Sequence, residues 1–326
     1  MNGQPEAIEE FACFGSRCVA LVTGAGRTGT SAQATTLARR TLEGWHTRFS
    51  RFLPDSELSR LNADPRATVP VRALMARLAQ AVREAGERSG GLVDATLLPE
   101  LERAGYRGEL REPLGLAEAL RLAPPRAPAA PALAARWRGI EVDLADPAAP
   151  TITRPAGVML DSGGVAKGLF ADVLGATLAS HASFAVNCAG DLLLGGSAGV
   201  VRAVKVQSPF DASTIHTFEL AAGGVATSGI GRRSWLDARG APAHHLLDPA
   251  TGRPAFTGVV QVTALATSAL AAEIKAKAAL LSGPAGARAW LEQGGVIVFD
   301  DGSHELVAPA PTVTLAQLTA HLHAAA

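Results

Sequence analysis

Residues 157–178 read GVMLDSGGVAKGLFADVLGATL, and this stretch contains the parts of one supersecondary unit. Its apolar run predicts a strand, Gly163 and Gly164 predict a tight turn, and the residues from Val165 onward predict a helix. A helix N-terminus attracts anions, and Lys167 in the first helical turn can reach a phosphate. Taken alone, the segment fits an ordinary strand-to-helix turn equally well.

The residues before this unit mainly favour helices. A strand is expected over residues 11–24 (FACFGSRCVALVTG), followed by long helices over residues 31–52 and 71–89. Either Asp55 or Ser56 can cap a short helix between the two long ones.

The residues after it mainly favour strands. Four segments combine short apolar runs with turns, namely SFAVNCAGDLLLGG, VRAVKVQSPF, HTFELAAGGVATSG and GGVIVFDDG. Residues 259–283 predict a further strand, a loop and a helix. Residues 111–136, rich in proline and alanine, are interpreted as a linker or a loose excursion. The order of the elements predicts a single α+β or mixed α/β domain over residues 1–326.

Composition excludes several classes of protein. The chain has 326 residues, of which 48% are hydrophobic and 18% charged, as in globular proteins. Thirty basic residues balance thirty acidic ones, which gives no reason to expect nucleic acid or an acidic membrane as a partner. No uninterrupted apolar run of membrane-spanning length occurs. The three cysteines lack zinc-site spacing, and no signal peptide or lipid-attachment cysteine is recognised, so we expect a cytoplasmic protein with reduced thiols.

A glycine pattern invites a different interpretation. Gly24, Gly26 and Gly29 fit G-x-G-x-x-G after a strand, which is typical of dinucleotide-binding folds. A long helix follows where a second strand with a ribose-binding acid is needed. A short-chain dehydrogenase also needs Tyr-x-x-x-Lys, but Leu110 stands four residues after Tyr106, the only tyrosine. A turn is the favoured interpretation of these glycines.

Two later segments carry groups capable of chemistry. In AHHLLDPATGRPA, residues 243–255, a tight turn follows the adjacent His244 and His245, either of which can face a ligand. In AAEIKAKAAL, residues 271–280, Glu273 and Lys277 are four apart and share a helix face. The simple interpretation of Glu273 and Lys277 is a solvated ion pair on the protein surface. The alternative is that this helix face lines a functional site.

Taken in order, these motifs resemble one family. They are FGS, FSRFLPDSELSRLN, GGLVDAT, LDSGGVAKGLFADVLGATL, FAVNCAGDLLLGG, VATSG, HHLLDPATGRP and the late segment VTALATSALAAEIKAKAALLSG. The chain resembles the ApbE-type FAD:protein FMN transferase family from about Phe11 to its end. The resemblance implies an α+β, T-fold-like architecture of mixed sheets and packed helices, with an FAD cleft between the motifs.

The resemblance also implies a reaction. A threonine hydroxyl of an acceptor flavoprotein attacks the FMN-side phosphorus of FAD, AMP leaves, and FMN stays attached through a phosphoester. Phosphoryl transfer requires mainly positioning and charge neutralisation. Family members use Mg²⁺ for the second task, and Mg²⁺ prefers oxygen ligands.

The family motifs assign cofactor-binding roles to particular residues. The implied FAD-binding residues are Phe14, Phe52, Leu92, Val93, Asp94, Asp161, Lys167, Ser228, Gly229 and His245. Phe14 stands where the family has methionine, and Phe52 where a tyrosine often packs on the flavin. Simpler roles stay open for three of them, because Phe14 and Phe52 fit the core and Asp94 fits a cap.

The late helix departs from the family in the residues that would hold the metal. The resemblance implies metal ligands at Glu273 and at the Gly164 carbonyl, and catalytic roles for Glu273, Lys277 and Lys167. Glu273 replaces an aspartate, and Lys277 replaces a threonine that is a metal ligand. Since a charged lysine cannot bind Mg²⁺, the sequence leaves open a transferase with an altered metal shell, a non-catalytic FAD-binding protein, or a hydrolase that splits FAD.

Overall fold

The computed structural model describes residues 6–108 and 113–309. Within these residues the helices are α1 Ser31–Phe49, α2 Glu57–Ala63, α3 Ala73–Arg88, α4 Leu98–Arg103, α5 Leu116–Leu122, α6 Ala166–Leu178, α7 Ala269–Leu281 and α8 Gly283–Ala287. Short 3-10 helices cover Arg136–Gly139, Ser162–Gly164 and Arg288–Trp290. No helix in the described ranges is both long and apolar enough to cross a membrane.

The strands are numbered in chain order. They are β1 Glu6–Cys13, β2 Ser16–Thr23, β3 Thr68–Pro70, β4 Glu141–Asp143, β5 Thr151–Thr153, β6 Ser183–Cys188, β7 Asp191–Gly195, β8 Arg202–Gln207, β9 Thr214–Leu220, β10 Gly223–Gly229, β11 Ser234–Leu236, β12 Pro242–His244, β13 Leu247–Asp248, β14 Arg253–Pro254, β15 Val259–Ala266, β16 Gly295–Phe299 and β17 His304–Val307.

One large sheet supports the fold. Eight strands follow the order β1-β2-β6-β7-β10-β15-β16-β17, and every neighbouring pair is antiparallel. Helices α6 and α7 pack against each other, α6 on β6 and β7 and α7 on β10 and β15, while α1 packs on β1 and β2. The main apolar core lies between this sheet and helices α1, α3 and α6, and Phe49, Phe170 and Leu174 are among its fully buried side chains.

Residues 11–24 form a hairpin where the sequence predicted one strand. Cys13 pairs with Ser16, so Phe14 and Gly15 alone form the turn between β1 and β2. Both residues have positive φ, at 54° and 68°, as a two-residue hairpin turn of this kind requires. Phenylalanine seldom adopts positive φ, and therefore Phe-Gly was not recognised as a turn. Residues 216–229 were also predicted as one strand and instead contribute to both β9 and β10, with Gly223 at φ 116°.

The predicted strand before the glycine turn is wrong. Gly157 belongs to a turn, and residues 158–160 join no sheet, because a side chain takes the place of a neighbouring strand. Asn62 accepts a hydrogen bond from the Leu160 amide (2.8 Å) and donates one to the Leu160 carbonyl (2.9 Å). The predicted helix that follows is confirmed as α6, and the turn before it is the 3-10 helix Ser162–Gly164.

The long helices are confirmed with shorter bounds. Helix α1 ends at Phe49 instead of residue 52, since Ser50 has the extended conformation of a C-cap. Helix α3 begins at Ala73, two residues after the predicted start at 71. The short helix α2 is capped by Ser56, whose hydroxyl accepts a hydrogen bond from the Ser59 amide at 2.9 Å.

The glycines that resembled a dinucleotide motif form a turn, as favoured. Gly26 and Gly29 exchange two backbone hydrogen bonds of 3.0 Å each. Thr30 then caps α1 in a capping box with Gln33. A methyl group on Gly26 would lie 2.7 Å from the His181 ring, so close packing accounts for glycine there.

The segment interpreted as a linker is attached to the rest of the protein. Residues 109–112 lie outside the described residues, and the remainder includes α5. Three backbone amides in the proline-rich part donate hydrogen bonds to the body of the protein: Ala127 to the Phe256 carbonyl (3.1 Å), Ala129 to the Leu281 carbonyl (2.8 Å) and Ala130 to the Asp248 carboxylate (2.9 Å). This part of the chain is therefore not a loose excursion. The assignment of all 326 residues to one domain stays a prediction.

Candidate functional site

A cavity of about 690 Å³ opens beside the N-terminal end of α6 and the C-terminal half of α7. Its wall is built by the β1–β2 turn, the end of α1, residues 92–97, the turn 161–164 and residues 232–233 and 245–247. This volume lies within the range of roughly 300–1,000 Å³ that is usual for small-molecule and cofactor sites.

The cavity brings together most of the residues that the sequence singled out. Those that line it are Phe14, Phe52, Leu92, Val93, Asp94, Asp161, Gly164, Lys167, His245 and Lys277. Glu273 is fully buried and lies behind this lining. Ser228 and Gly229 lie on β10, opposite Val262 and Gln261 of β15, and do not reach the cavity wall. Their predicted contact with FAD has no counterpart in the geometry of the cavity.

A compact charge cluster forms the floor of the cavity. The Lys277 ammonium donates to Glu273 Oε1 at 2.6 Å, and the Lys167 ammonium lies 3.3 Å from the same oxygen. Lys167 also donates to Asp191 Oδ2. The Gly168 amide donates to the other oxygen of Glu273, Oε2, at 2.8 Å. The pair at residues 273 and 277 is therefore buried in a site, and the solvated ion pair considered from the sequence is wrong.

Burial and mutual attraction set the charges in this cluster. Burial alone raises the pKa of Glu273, but the ammonium groups of Lys167 and Lys277 outweigh it and hold this pKa below its usual range. Burial lowers the pKa of Lys167, but Asp191 and Glu273 together raise it above its ordinary value. Burial raises the pKa of Asp191 to about 7, and its Oδ1 has no hydrogen-bond partner among the described residues. Burial lowers the pKa of Lys277, although Glu273 opposes this.

Two helix contacts hold this cluster in place. Asp172 on α6 accepts hydrogen bonds from the first amides of α7, at Ala269 (2.7 Å) and Leu270 (3.0 Å). Gly168 lies so close to Ala269 that no side chain fits between the helices. The close approach of α6 and α7 places Glu273 between the two lysines.

The cluster does not fit Mg²⁺. Glu273 has both oxygens in hydrogen bonds, and the Lys277 ammonium lies at one of them. A divalent ion about 4 Å from an ammonium is repelled by about 8 kcal/mol at an effective dielectric constant of about 20. No group of three or more His, Cys, Asp and Glu side chains suited to a metal occurs in the described part of the chain. The Gly164 carbonyl, the other implied metal ligand, therefore lacks its predicted partner, because Glu273 has no free oxygen.

The structure distinguishes the two adjacent histidines. His244 is fully buried, packs edge-on against Phe256 at a centroid distance of 4.7 Å, and accepts a hydrogen bond from the Leu246 amide at Nδ1. His245 lines the cavity, and its Nδ1 has no partner among the described residues. Burial, with a further contribution from Arg233, holds the pKa of His245 well below its ordinary value, so its ring is neutral near pH 7.

Two of the predicted contact residues also have local structural roles. Phe14 packs against Phe170 (5.7 Å) and His46 (5.3 Å) while it lines the cavity. Asp94 accepts hydrogen bonds from the amide and hydroxyl of Thr96, at 2.8 and 2.6 Å, and thereby caps a turn. The simpler interpretations of Phe14 and Asp94 therefore hold alongside exposure to the cavity, whereas the core interpretation of Phe52 is wrong, because this residue is 41% exposed.

Sequence reasoning missed an aromatic and cationic wall. The Arg51 guanidinium lies over the Phe52 ring (4.2 Å to the centroid) and over the Tyr106 ring (4.6 Å), and Tyr106 stacks on Trp235 at 5.1 Å. Arg51 is nearly buried, and its Nη2 has no partner in the described ranges. Arg51 follows directly on α1 and Tyr106 follows α4, so only the fold brings the two together.

Two further charged residues of the site were also missed. Asp191 begins β7, and Arg233 follows β10 and donates to the Phe14 carbonyl at 2.9 Å. The signal for Asp191 was present in NCAGD, where an acid stands inside an otherwise apolar segment.

Comparison with known proteins decides the family. A family model described as the ApbE family matches residues 15–299. The chain belongs to the ApbE family. Comparison with curated proteins gave no match.

Solved structures of ApbE proteins share the fold. The chain is similar to the ApbE protein of Thermotoga maritima, at 24% identity and a TM-score of 0.74 over 93% of this chain and 97% of that one. It is also similar to the apo flavinyl transferase ApbE of Pseudomonas stutzeri, at 22% identity and 0.72 over 94% and 95%. The flavin transferase ApbE of Vibrio cholerae matches at 20% identity and 0.67 over 94% and 97%. These likenesses confirm the predicted α+β ApbE architecture.

Proposed function

We propose that this ApbE-family protein is a flavin transferase that moves FMN from FAD to a threonine of an acceptor flavoprotein, with release of AMP. The observation that carries the proposal is the two-sided cavity. One side presents aromatic rings from Phe14, Phe52 and Tyr106, which suit a flavin or an adenine ring. The floor presents Lys167 and Lys277, which suit a pyrophosphate.

Phosphoryl transfer requires the protein to position the reacting groups and to neutralise charge on the phosphates. The threonine oxygen forms a new bond to the FMN-side phosphorus, the bond from that phosphorus to the bridging oxygen breaks, and AMP leaves with the electron pair. The hydroxyl proton needs a base. His245 suits this role because it lines the cavity and its ring is neutral near pH 7.

Cations of the protein can offset the charge on the leaving group. Lys167 stays protonated at all pH values near neutrality, because Asp191 and Glu273 raise its pKa. Its ammonium is part of the cavity lining and is held by both carboxylates. No step is assigned to Mg²⁺, since the cluster does not fit it.

The test uses a small acceptor domain that carries the target threonine. Protein, acceptor and FAD are mixed, flavin fluorescence of the denatured acceptor is read in a gel, and AMP is measured separately. Labelling of the acceptor with one AMP released per FMN attached supports transfer. An acceptor with alanine in place of the threonine must stay unlabelled, and FMN offered in place of FAD must give no product.

A second function is favoured by one specific observation. Lys277 and Gly168 occupy both oxygens of Glu273, the carboxylate that the resemblance assigned to the metal. This arrangement suits a protein that binds FAD without transferring FMN. Stoichiometric FAD binding with no labelled acceptor and no AMP would favour this function over transfer.

A further inference from the structure

Lys277 occupies an uncommon position for a lysine. It lies in the last half of α7, its side chain is 8% exposed, and that exposed part faces the cavity. The next lysine on the same helix, Lys275, points away from the cavity and pairs with Glu292 at 3.3 Å. A buried ammonium is costly unless it is paired, and Glu273 provides the partner.

The cations and the carboxylates of the cluster lie at different depths. Lys167, Lys277 and Arg233 line the cavity, whereas Glu273 and Asp191 are 0% and 1% exposed and lie behind them. Within this cluster the cations therefore lie nearer to the cavity than the carboxylates that hold them, while Asp94 and Asp161 also line the cavity. The carboxylates hold the ammonium groups in position.

The charge balance also favours an anion. In the cluster, the three cations Lys167, Lys277 and Arg233 stand against the two carboxylates Glu273 and Asp191. The net charge of this end of the cavity is thus positive without any added ion. The ordinary partner for such a site is a phosphate or pyrophosphate group.

We propose that the Lys277 ammonium is a built-in replacement for a divalent cation, so that the protein binds the pyrophosphate of FAD through side-chain cations alone. The inference rests on the proposed function only in taking FAD as the ligand. It assigns Lys277 to the phosphate-binding floor and requires no metal ion for binding.

The first test needs no mutation. FAD is titrated into the purified protein, and binding is followed by fluorescence anisotropy, once with EDTA and once with excess Mg²⁺. The dissociation constants are expected to agree within about twofold, which is less than about 0.5 kcal/mol by the relation of affinity to free energy. Binding that appears only with Mg²⁺ overturns the inference and leaves the proposed function standing. Absence of FAD binding in both buffers overturns the two together.

A spectroscopic measurement asks the same question independently of FAD. Mn²⁺ is added to the protein, and the free ion is quantified by its electron paramagnetic resonance signal. The inference predicts that the signal stays that of free Mn²⁺ with the wild type. If the wild type instead removes one equivalent of the free Mn²⁺ signal and Glu273→Gln does not, a metal binds at this carboxylate and the inference is overturned.

The variant Lys277→Thr tests the residue itself. Removal of the ammonium is expected to weaken FAD binding in EDTA by about tenfold or more. It also frees Glu273 Oε1, so Mg²⁺ should restore much of the FAD affinity that the variant has lost. The FAD affinity of the wild type should not respond to Mg²⁺. Lys275→Thr is the matched control on the same helix and should bind FAD as the wild type does. Unchanged affinity of a folded Lys277→Thr in EDTA overturns the inference.

Discussion

A methyl group at Gly168 would separate the two helices that form the floor of the cavity. Gly168 lies in α6 against the start of α7, and a Cβ built there would be 2.7 Å from both the Ala269 carbonyl oxygen and the Leu270 Cα. This is about 0.7 Å less than the 3.4 Å at which ordinary van der Waals contact begins. Both neighbours are backbone atoms, which cannot rotate away, so the helices must move apart.

The size of the effect can be worked from this contact. Overpacking typically costs about 1–3 kcal/mol, and a rigid backbone contact should lie at the upper end. Alanine regains about 1 kcal/mol of helix propensity relative to glycine. Gly168→Ala should therefore lower the free energy of unfolding by about 2 kcal/mol. With a urea m-value of about 3 kcal/mol/M, the midpoint falls by about 0.7 M.

The same displacement should weaken ligand binding. The Gly168 amide donates to Glu273 at 2.8 Å, and Glu273 in turn holds Lys277 and Lys167. Urea unfolding followed by tryptophan fluorescence measures the stability, and FAD titration measures the site. Gly44→Ala is the matched control, because Gly44 lies in α1 and a Cβ there would have no other atom within 4 Å. This control should gain up to about 1 kcal/mol. A Gly168→Ala protein as stable as the wild type would refute the close packing described here.

Three other changes probe the site and its support. Arg51→Met removes the guanidinium between two aromatic rings but keeps an apolar side chain. This variant should bind FAD about tenfold more weakly, and an affinity equal to that of the wild type would contradict a role of Arg51 in binding. Glu273→Gln should cost about 3–5 kcal/mol in urea unfolding because it leaves the buried Lys277 ammonium unpaired, and adding Lys277→Met should recover part of the loss. A near-neutral single variant would speak against the buried pair. Burial lowers the folded pKa of His244 to about 3, below its unfolded value, so its contribution to stability is present above about pH 6.5 and is lost as the pH falls. Between about pH 7 and pH 4.5 this loss is about 3 kcal/mol, and His244→Phe should remove that part of the acid sensitivity, whereas an unchanged pH profile would exclude His244 as its source.

The order of the motifs was sufficient to predict the family and the α+β class, and most of the residues that it singled out line the cavity. Motifs report local requirements, such as a tight turn before a helix or a cap after a proline, and these requirements can be read from neighbouring residues. For that reason α6, α7 and the glycine turn after β2 were predicted correctly, and Ser56 was one of the two candidates for the cap of α2. The bounds of α1 and α3 were less accurate, because helix ends depend on a few tenths of a kcal/mol per residue.

Several errors have one physical origin. The β1–β2 hairpin depends on a phenylalanine at positive φ, and residues 157–160 stay outside the sheet because Asn62 pairs with Leu160 from another part of the chain. Neither feature has a local signal. The proline-rich segment was likewise expected to be loose, and its hydrogen bonds to Phe256 and Leu281 depend on residues more than a hundred positions away.

The sequence by itself determined that Glu273 and Lys277 share a helix face, since that follows from helical periodicity alone. Only the tertiary structure decided that this face is buried, that Lys167 from α6 meets the same carboxylate, and that the ammonium groups stand between the carboxylates and the cavity. The contacts among Lys167, Glu273 and Lys277 depend on the distance between α6 and α7, because these residues come from both helices. That distance is set by packing at Gly168 and Asp172, whose partners lie about a hundred residues further along the chain.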